Sequence, residues 1–121
     1  MQSFLKAFTI ALALTPSISS ASEIVIGRWC DVLVPNSSFT RTMTLVIVPD
    51  GSLVFRHSFS DGSSGEYEMV ELGNETYAEV EAEFGQKYRI VQSSGDLQLL
   101  DEDGLIRIAR RLENAPRTGE C

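Results

Sequence analysis

The sequence predicts an all-β protein: about eight antiparallel strands in an up-and-down meander that closes into a small barrel, stapled by one disulfide. Two observations carry this prediction. Short runs of β-forming residues are separated by turn residues at close, regular spacing, and no convincing amphipathic helix follows residue 22. In addition, the only two cysteines stand in the first strand and at the last position of the chain.

The first 21 residues have the pattern of a removable signal peptide. They carry one positive charge at Lys6, an apolar run over 7–14, and the small residues Ser19 and Ala21 before the expected cleavage point. The apolar run is about half of the roughly 20 residues that a membrane span needs, so we expect no membrane anchor. We therefore predict a periplasmic or secreted protein in which residues 22–121 form a single β-barrel domain.

The chain is acidic. It has 17 Asp and Glu against 10 Lys and Arg, a formal net charge of −7, and removal of the signal with its Lys6 takes the charge to −8. Because such a surface repels a phosphate backbone, we expect no nucleic-acid partner.

Cys30 and Cys121 are most simply a disulfide, since an exported protein folds in an oxidising compartment. The alternative is a free catalytic thiol, which would need a nearby base, and the chain has a single histidine, His57. We favour the disulfide, which would tie the first strand to the end of the chain.

The first three strands are predicted over 23–34, 39–48 and 53–59. Proline, aspartate and glycine at 49–51 predict a tight turn between the second and third, because proline presets φ and glycine accepts a left-handed backbone. A three-residue turn sets the register on one face: Ile47 opposite Leu53, Leu45 opposite Phe55, and Met43 opposite His57.

Strands 4 and 5, predicted over 66–72 and 75–82, flank the two-residue hairpin signal Gly73-Asn74, with glycine first as in a type II′ turn. This register places two pairs of like charges on one face: Glu68 opposite Glu79, and Glu66 opposite Glu81. The other face is predicted to point into the core, with Tyr67, Met69, Ala78 and Val80.

Strands 6, 7 and 8 are predicted over 87–91, 97–100 and 105–112, joined by loops short enough for hairpins. Eight strands suffice to close a small barrel, which brings strand 8 beside strand 1. The tail after Leu112 can then return Cys121 to Cys30 and staple the seam.

Gly27-x-Trp29 on the first strand, with Arg107, Arg110 or Arg111 on the last, resembles the arrangement of the calycins. These include lipocalins, avidins and the small periplasmic inhibitors of serralysin-type metalloproteases. The resemblance implies that a basic side chain of the final strand packs across the tryptophan and closes one end of the barrel. We assign this barrel-closing role to Gly27, Trp29, Arg107 and Arg110.

The chain also departs from each of these families. It lacks the second lipocalin motif, Thr-Asp-Tyr, and has one tryptophan where avidin-like biotin sites use several. The metalloprotease inhibitors match best in size, export and a single disulfide, although their cysteine spacing differs. They reach the protease with an N-terminal segment longer than the five residues at 22–26. Periplasmic lysozyme inhibitors are similar small disulfide-closed barrels, but their aromatic and lysine loop is not clearly present.

Glu66, Glu68, Glu79 and Glu81 are the most unusual cluster, because like charges directly opposite one another in a sheet are destabilising. A basic partner, a bound cation or arginines of neighbouring strands could offset the repulsion. We favour a solvated exterior surface, since calcium prefers a turn-like cage of oxygens.

The remaining patterns predict no cofactor, no metal site and no catalytic residue. Asp101-x-Asp103-Gly104 resembles a fragment of a calcium loop, but it lacks the later ligands, and we interpret it as a tight turn. His57 has no serine or cysteine partner that could make it a catalytic base.

We therefore expect a monomeric, noncatalytic binding protein, with a protein inhibitor of the protease-inhibitor type as its most specific form. The alternative is a lipocalin-like carrier of a small apolar ligand, which requires an open barrel interior. Five side chains are predicted to fill that interior instead: Met43, Leu45, Phe55, Tyr67 and Ile90.

Overall fold

The computed structural model describes residues 22–35, 37–81, 85–114 and 121. The signal peptide predicted over 1–21 lies outside this range. Eight strands and one short 3-10 helix occupy the described residues. They are β1 (Ile24–Val32), β2 (Thr40–Ile47), β3 (Leu53–Phe59), β4 (Ser64–Gly73), β5 (Thr76–Glu79), β6 (Lys87–Ile90), β7 (Leu97–Asp101), β8 (Gly104–Arg111) and the 3-10 turn Leu112–Asn114.

Each strand pairs with its neighbours in sequence order, and β8 returns to pair with β1, so the sheet is a closed barrel. Every pairing is antiparallel. The predicted fold class is therefore confirmed. The seam is short, because β1 and β8 pair only where Trp29 meets Arg111 and Cys30 meets Arg110.

The predicted register of β2 and β3 is confirmed. Met43 lies opposite His57, Leu45 opposite Phe55, and Ile47 opposite Leu53. Gly51 in the connecting turn has a φ of 94°, a left-handed backbone that glycine adopts without steric cost. The local turn chemistry thus determined which side chains of these strands point inward.

The predicted register of β4 and β5 is wrong by one residue. Glu79 lies opposite Met69, not Glu68, and Ala78 lies opposite Val70. The turn is formed by Asn74 and Glu75, both with positive φ, and an irregularity between Glu71 and Gly73 absorbs the extra residue. Since a slip of one residue exchanges the two faces of a strand, Glu79 shares the inward face with Met69.

The physical reason is burial of the larger ring. In the observed register Tyr77 points inward and is only 7% exposed, whereas the predicted register would have buried Ala78 and left the tyrosine outside. Burying an aromatic ring stabilises the fold by more than burying a methyl group. Val80, expected in the core, is 53% exposed, and Tyr67 is 43% exposed.

Close-packed side chains fill the barrel interior. One cluster of buried hydrophobic residues spans it: Trp29, Met43, Leu45, Phe55, Met69, Tyr77, Tyr88, Leu97, Leu99 and Ala109. Ile26, Leu53 and Ile90 pack against this cluster. Phe55 stands at the centre and meets the rings of Trp29 and Tyr88 edge-on, with ring centroids 6.2 and 4.9 Å apart.

Cys30 and Cys121 are bonded, with their Cα atoms 5.6 Å apart and a sequence separation of 91. Cys30 lies beside the seam, on β1 opposite Arg110. The disulfide therefore secures the chain terminus next to the shortest pairing of the barrel, as the sequence predicted.

Replacing Cys30 and Cys121 together by serine is expected to lower the free energy of unfolding by about 2–4 kcal/mol, because the bond restricts the unfolded chain over almost its whole length. Chemical denaturation of the variant and the parent measures the difference. Intact mass after alkylation without reductant should show no labelled thiol in the parent. Two labelled thiols in protein from an oxidising compartment would contradict the bond.

The described residues contain no helix that is long and apolar enough to cross a membrane.

Candidate functional site

One end of the barrel is closed by Trp29, which has no exposed surface. Its indole N–H donates a hydrogen bond of 2.7 Å to the Gly95 carbonyl in the β6–β7 loop. A Cβ atom added at Gly27 would lie 2.6 Å from the ring of Trp29. The Gly-x-Trp spacing therefore has a steric reason, since only glycine leaves room for the indole to fold back over its own strand.

The arginine at this end is Arg111. It lies opposite Trp29 across the seam, and its side chain rests on Gly95, where an added Cβ would meet the guanidinium at 2.8 Å. The structure brings Arg107 and Arg110, to which this role was assigned from the sequence, to other partners. Arg110 lies on the alternate, outward phase of β8 and contacts Asp96 at 3.5 Å. Arg107 points inward but lies four residues before Arg111, away from the tryptophan end.

Arg107 instead joins a buried polar cluster at the opposite end of the barrel, formed with Asp31, Arg41 and His57. The Asp31 side chain is fully buried and accepts hydrogen bonds from both arginines. Arg107 donates to its two carboxylate oxygens at 2.6 and 2.8 Å, and Arg41 donates to Oδ2 at 2.5 and 3.1 Å. The four residues of the cluster come from β1, β2, β3 and β8, so the cluster links both sides of the seam.

The electrostatics of the cluster favour the ionised carboxylate. Burial by itself would raise the pKa of Asp31, but the hydrogen bonds and charges of Arg107 and Arg41 outweigh it and hold the pKa below its ordinary value. The hydrogen bond with Asp31 in turn raises the pKa of Arg107. The cluster therefore keeps one negative and two positive charges inside the barrel.

His57 is the neutral member of the cluster. Its Nδ1 lies 3.1 Å from an arginine nitrogen of Arg41, which can only donate, so the ring proton is on Nε2. That Nε2 atom is buried and has no hydrogen-bond partner among the described residues. Burial, together with the charge of Arg41, lowers the pKa of His57 to about 4. A histidine of this kind is uncharged near pH 7 and accepts a hydrogen bond that orients Arg41.

A second buried contact continues from the cluster toward β5. The Tyr88 hydroxyl donates to Glu79 Oε2 at 3.1 Å. Burial and the nearby Glu79 carboxylate raise the pKa of Tyr88, so the phenol stays protonated and can act as the donor. Glu79, predicted on the exterior face, is thereby held by the interior of the barrel.

Stability is expected to fall as the pH drops from about 6.5 to 5, because His57 is the only histidine and its pKa is lower in the folded chain than in the unfolded one. Between these pH values the unfolded chain binds a proton at His57 that the folded chain does not bind. The contribution of the neutral histidine to stability is therefore complete above pH 6.5 and is lost toward pH 4. Chemical denaturation at a series of pH values measures the slope.

The matched control is His57→Gln, which keeps a hydrogen-bond acceptor for Arg41 but does not titrate. Its stability should be flat between pH 6.5 and 5, where the carboxylates contribute little because their unfolded pKa values lie near 4. A parent protein with the same flat profile would contradict the buried, neutral histidine.

The four glutamates of the predicted partner or cation face line one cleft of about 430 Å³, which we call the acidic cleft. It opens where β4 and β5 diverge, beyond the hydrogen bond from the Val80 N–H to the Glu68 carbonyl. The residues that line it are Glu66, Tyr67, Glu68, Glu79, Val80, Glu81 and Gln86. Half-exposed Tyr67 and Val80 provide apolar surface among the carboxylates.

The carboxylates of the acidic cleft are unequally compensated. Glu66 contacts Arg56 at 2.8 Å, and Glu79 is bound by Tyr88. Within the described part of the chain, the exposed Glu68 and Glu81 side chains make no salt bridge or hydrogen bond, so their charges face the solvent. No group of three or more metal-binding side chains is placed to hold an ion among the residues that the structure describes.

Asp101 and Asp103 form the tight turn that the sequence predicted. The Asp103 N–H donates to Asp101 Oδ1 at 2.8 Å, and Gly104 takes a φ of 120° as β8 begins. The carboxylate of Asp101 is thus used to stabilise the turn itself.

Sequence reasoning missed the buried polar cluster, although the pattern held a signal for it. Asp31 follows Gly27 and Trp29 on the same phase of β1, and Arg41 precedes Met43 on the inward phase of β2. Charged residues of opposite sign on the inward phase of adjacent strands indicate an internal ion pair. The contact of Arg107 with Asp31 could not be predicted, because it depends on the stagger of β8 against β1 across the seam.

The fold and the two constellations define a small antiparallel barrel with a filled interior, one polar end and an acidic exterior cleft. This is the coarse architecture that the calycin resemblance implies. No family model, curated protein or solved structure matches the chain.

Proposed function

We propose that this chain is an exported, noncatalytic binding protein that recognises a protein partner on its exterior, in the manner of the small periplasmic inhibitors that it resembles. The observation that carries the proposal is the filled interior. Phe55, Met43, Leu45 and Leu97 are at most 1% exposed, and Asp31 with its two arginines occupies the polar end. This filling supports recognition on the outside of the barrel.

The acidic cleft is the surface that we assign to the partner. It combines open volume, the half-exposed apolar side chains of Tyr67 and Val80, and the solvent-facing carboxylates of Glu68 and Glu81. Interfaces favour such a mixture, because an aromatic anchor supplies contact area while charges select and orient the partner. The complementary partner carries a basic segment with an exposed apolar residue.

The N-terminal segment is less suited to this role. Glu23 is held by the Arg56 guanidinium, which also binds Glu66, and Ile24 is already paired with Ile47. The five residues at 22–26 thus lie against β2 and β3, whereas an inhibitor that docks through its N-terminus needs a free arm. The acidic cleft, in contrast, presents exposed carboxylates that can attract a basic partner.

A carrier of a small apolar ligand is the competing function, and the same observation disfavours it. A carrier needs an empty lumen, and the ring contacts among Trp29, Phe55 and Tyr88 occupy the middle of this one. A carrier also needs an apolar entrance to its lumen, and the polar end of this barrel is occupied by the charged side chains of Asp31 and Arg41.

The test titrates the protein after signal removal against a serralysin-type metalloprotease and a basic lysozyme, and follows hydrolase activity and binding by calorimetry. We expect saturable binding of one of them. Glu68→Gln with Glu81→Gln should weaken it by about tenfold or more, as expected when charges at an interface are removed. The control, Glu71→Gln with Glu75→Gln, removes the same charge from β4 and its turn to β5, outside the cleft, and should leave binding unchanged.

Two outcomes would contradict the proposal. One is native mass spectrometry that shows a small apolar molecule retained by the purified protein, which the carrier function predicts. The other is a protein that binds neither hydrolase.

A further inference from the structure

The exterior of the seam carries an apolar surface, which we call the seam face. It consists of four large side chains that are each about half exposed: Val32 of β1 and Leu105, Ile106 and Ile108 of β8. Ile106 and Ile108 alternate with the inward Arg107 and Ala109, so both point away from the barrel. An apolar strip on an acidic, exported chain is characteristic of a contact surface.

The seam face draws on both strands of the seam. Cys30 lies opposite Arg110, and on the outward phases of the two strands Val32 follows Cys30 and Ile108 precedes Arg110. Strand pairing between β1 and β8 is confined to the two residue pairs at the tryptophan end. The polar end of the seam is held from inside by the Asp31–Arg107 ion pair, which leaves the apolar side chains above it facing outward.

We propose that the seam face is the contact between two copies of this chain. The argument is charge complementarity along β8. The strand begins after the acidic turn at 101–103 and ends near the outward Arg110, which contacts Asp96 at 3.5 Å and still has 54% of its side chain exposed. When two copies pack with their β8 strands antiparallel about a twofold axis, Glu102 of one copy lies near Arg110 of the other at both ends of the apolar strip. A twofold contact must be self-complementary in this way.

The order of the strands gives the dimer a consequence for binding. In a ring of eight strands, the β8–β1 seam lies directly across the barrel from the gap between β4 and β5. Two copies joined at their seams therefore carry their acidic clefts on opposite outer sides, both open to solvent. The dimer is bivalent, and it forms whether or not the proposed partner binds. This proposal differs from the monomer expected from the sequence, and the oligomeric state in solution decides between them.

The experiment is sedimentation equilibrium of the protein after signal removal, from low-micromolar to millimolar concentration. We expect a reversible monomer–dimer equilibrium. Ile106→Lys with Ile108→Lys should weaken self-association by about tenfold or more, because the apolar centre of the contact is lost. The matched control is Val70→Lys with Leu72→Lys, two exposed apolar residues of β4 on the far side of the barrel, which should leave the equilibrium unchanged.

A charge exchange tests the geometry without touching the apolar strip. Arg110→Glu and Glu102→Arg should each weaken the dimer, and the double variant should restore it, because the pair is only reversed. Thermal melts confirm that each variant is folded. A protein that stays monomeric to millimolar concentration overturns the proposal, and so does a dimer that persists in the folded Ile106→Lys, Ile108→Lys variant.

Discussion

Trp29→Ala is expected to lower the free energy of unfolding by about 3–5 kcal/mol, the usual cost of truncating a large, fully buried aromatic side chain. The substitution removes the ring that packs edge-on against Phe55 and the donor that binds the Gly95 carbonyl. Chemical denaturation followed by far-ultraviolet circular dichroism measures the loss. Since the chain has one tryptophan, the parent's fluorescence should also resist soluble quenchers until it unfolds.

Two companion variants separate the contributions at this end. Trp29→Phe keeps an aromatic ring and leaves the Gly95 carbonyl without its donor, which should cost about 1–3 kcal/mol. Gly27→Ala forces a Cβ into the 2.6 Å space above the ring and should also destabilise the barrel. A tryptophan that is quenched as readily in the folded protein as in the unfolded chain would contradict a closed end.

Asp31→Ala is expected to cost about 3 kcal/mol, because it leaves the largely buried Arg41 and the partly exposed Arg107 without their shared, fully buried carboxylate, and solvent screens Arg107 in part. The cost comes from the two uncompensated positive charges rather than from lost contact area. Asp31→Asn keeps the shape of the side chain and its hydrogen-bonding oxygen but not its charge. Asp31→Asn should therefore be destabilised nearly as much as Asp31→Ala when both variants are measured by chemical denaturation at neutral pH.

The exposed triad around Arg56 is the matched control. Arg56 bridges Glu23 and Glu66 at the surface, with at least 39% of each side chain exposed. Solvent screens such pairs, so Arg56→Met should have a much smaller effect than Asp31→Ala. Equal losses of stability from Arg56→Met and Asp31→Ala would show that burial does not decide the strength of these ion pairs.

Sequence reasoning predicted the strands well wherever the information was local. Alternating hydrophobicity identified the eight strands, and the proline and glycine at 49–51 determined the inward side chains of β2 and β3. It failed at β4 and β5, where the turn moved by one residue from Gly73-Asn74 to Asn74-Glu75. The sequence is compatible with a turn at either position, and in the structure it is Asn74 and Glu75 that form the turn with positive φ. Burial of Tyr77 decided the register.

At the candidate site, too, the sequence predicted the residues but not the geometry. All four glutamates named from the sequence line the acidic cleft, although for a different reason than predicted: Glu79 faces inward, and the cleft exists because β4 and β5 diverge. The pattern identified an unusual density of charge between two adjacent strands. It could not reveal an opening between them, because strand divergence depends on how the whole sheet curves to close.

By itself, the sequence determined the class of fold, the strand order, the Cys30–Cys121 bond and the Gly27–Trp29 pattern, since each depends on alternation, turn chemistry or the presence of only two cysteines. The tertiary structure alone decided that Arg111 lies at the tryptophan end and that Arg107 joins Asp31. Both contacts cross the seam: Trp29 lies opposite Arg111, and the Asp31–Arg107 bond links residues 76 positions apart. Their partners are selected by the stagger of β8 against β1, which only closure of the barrel sets.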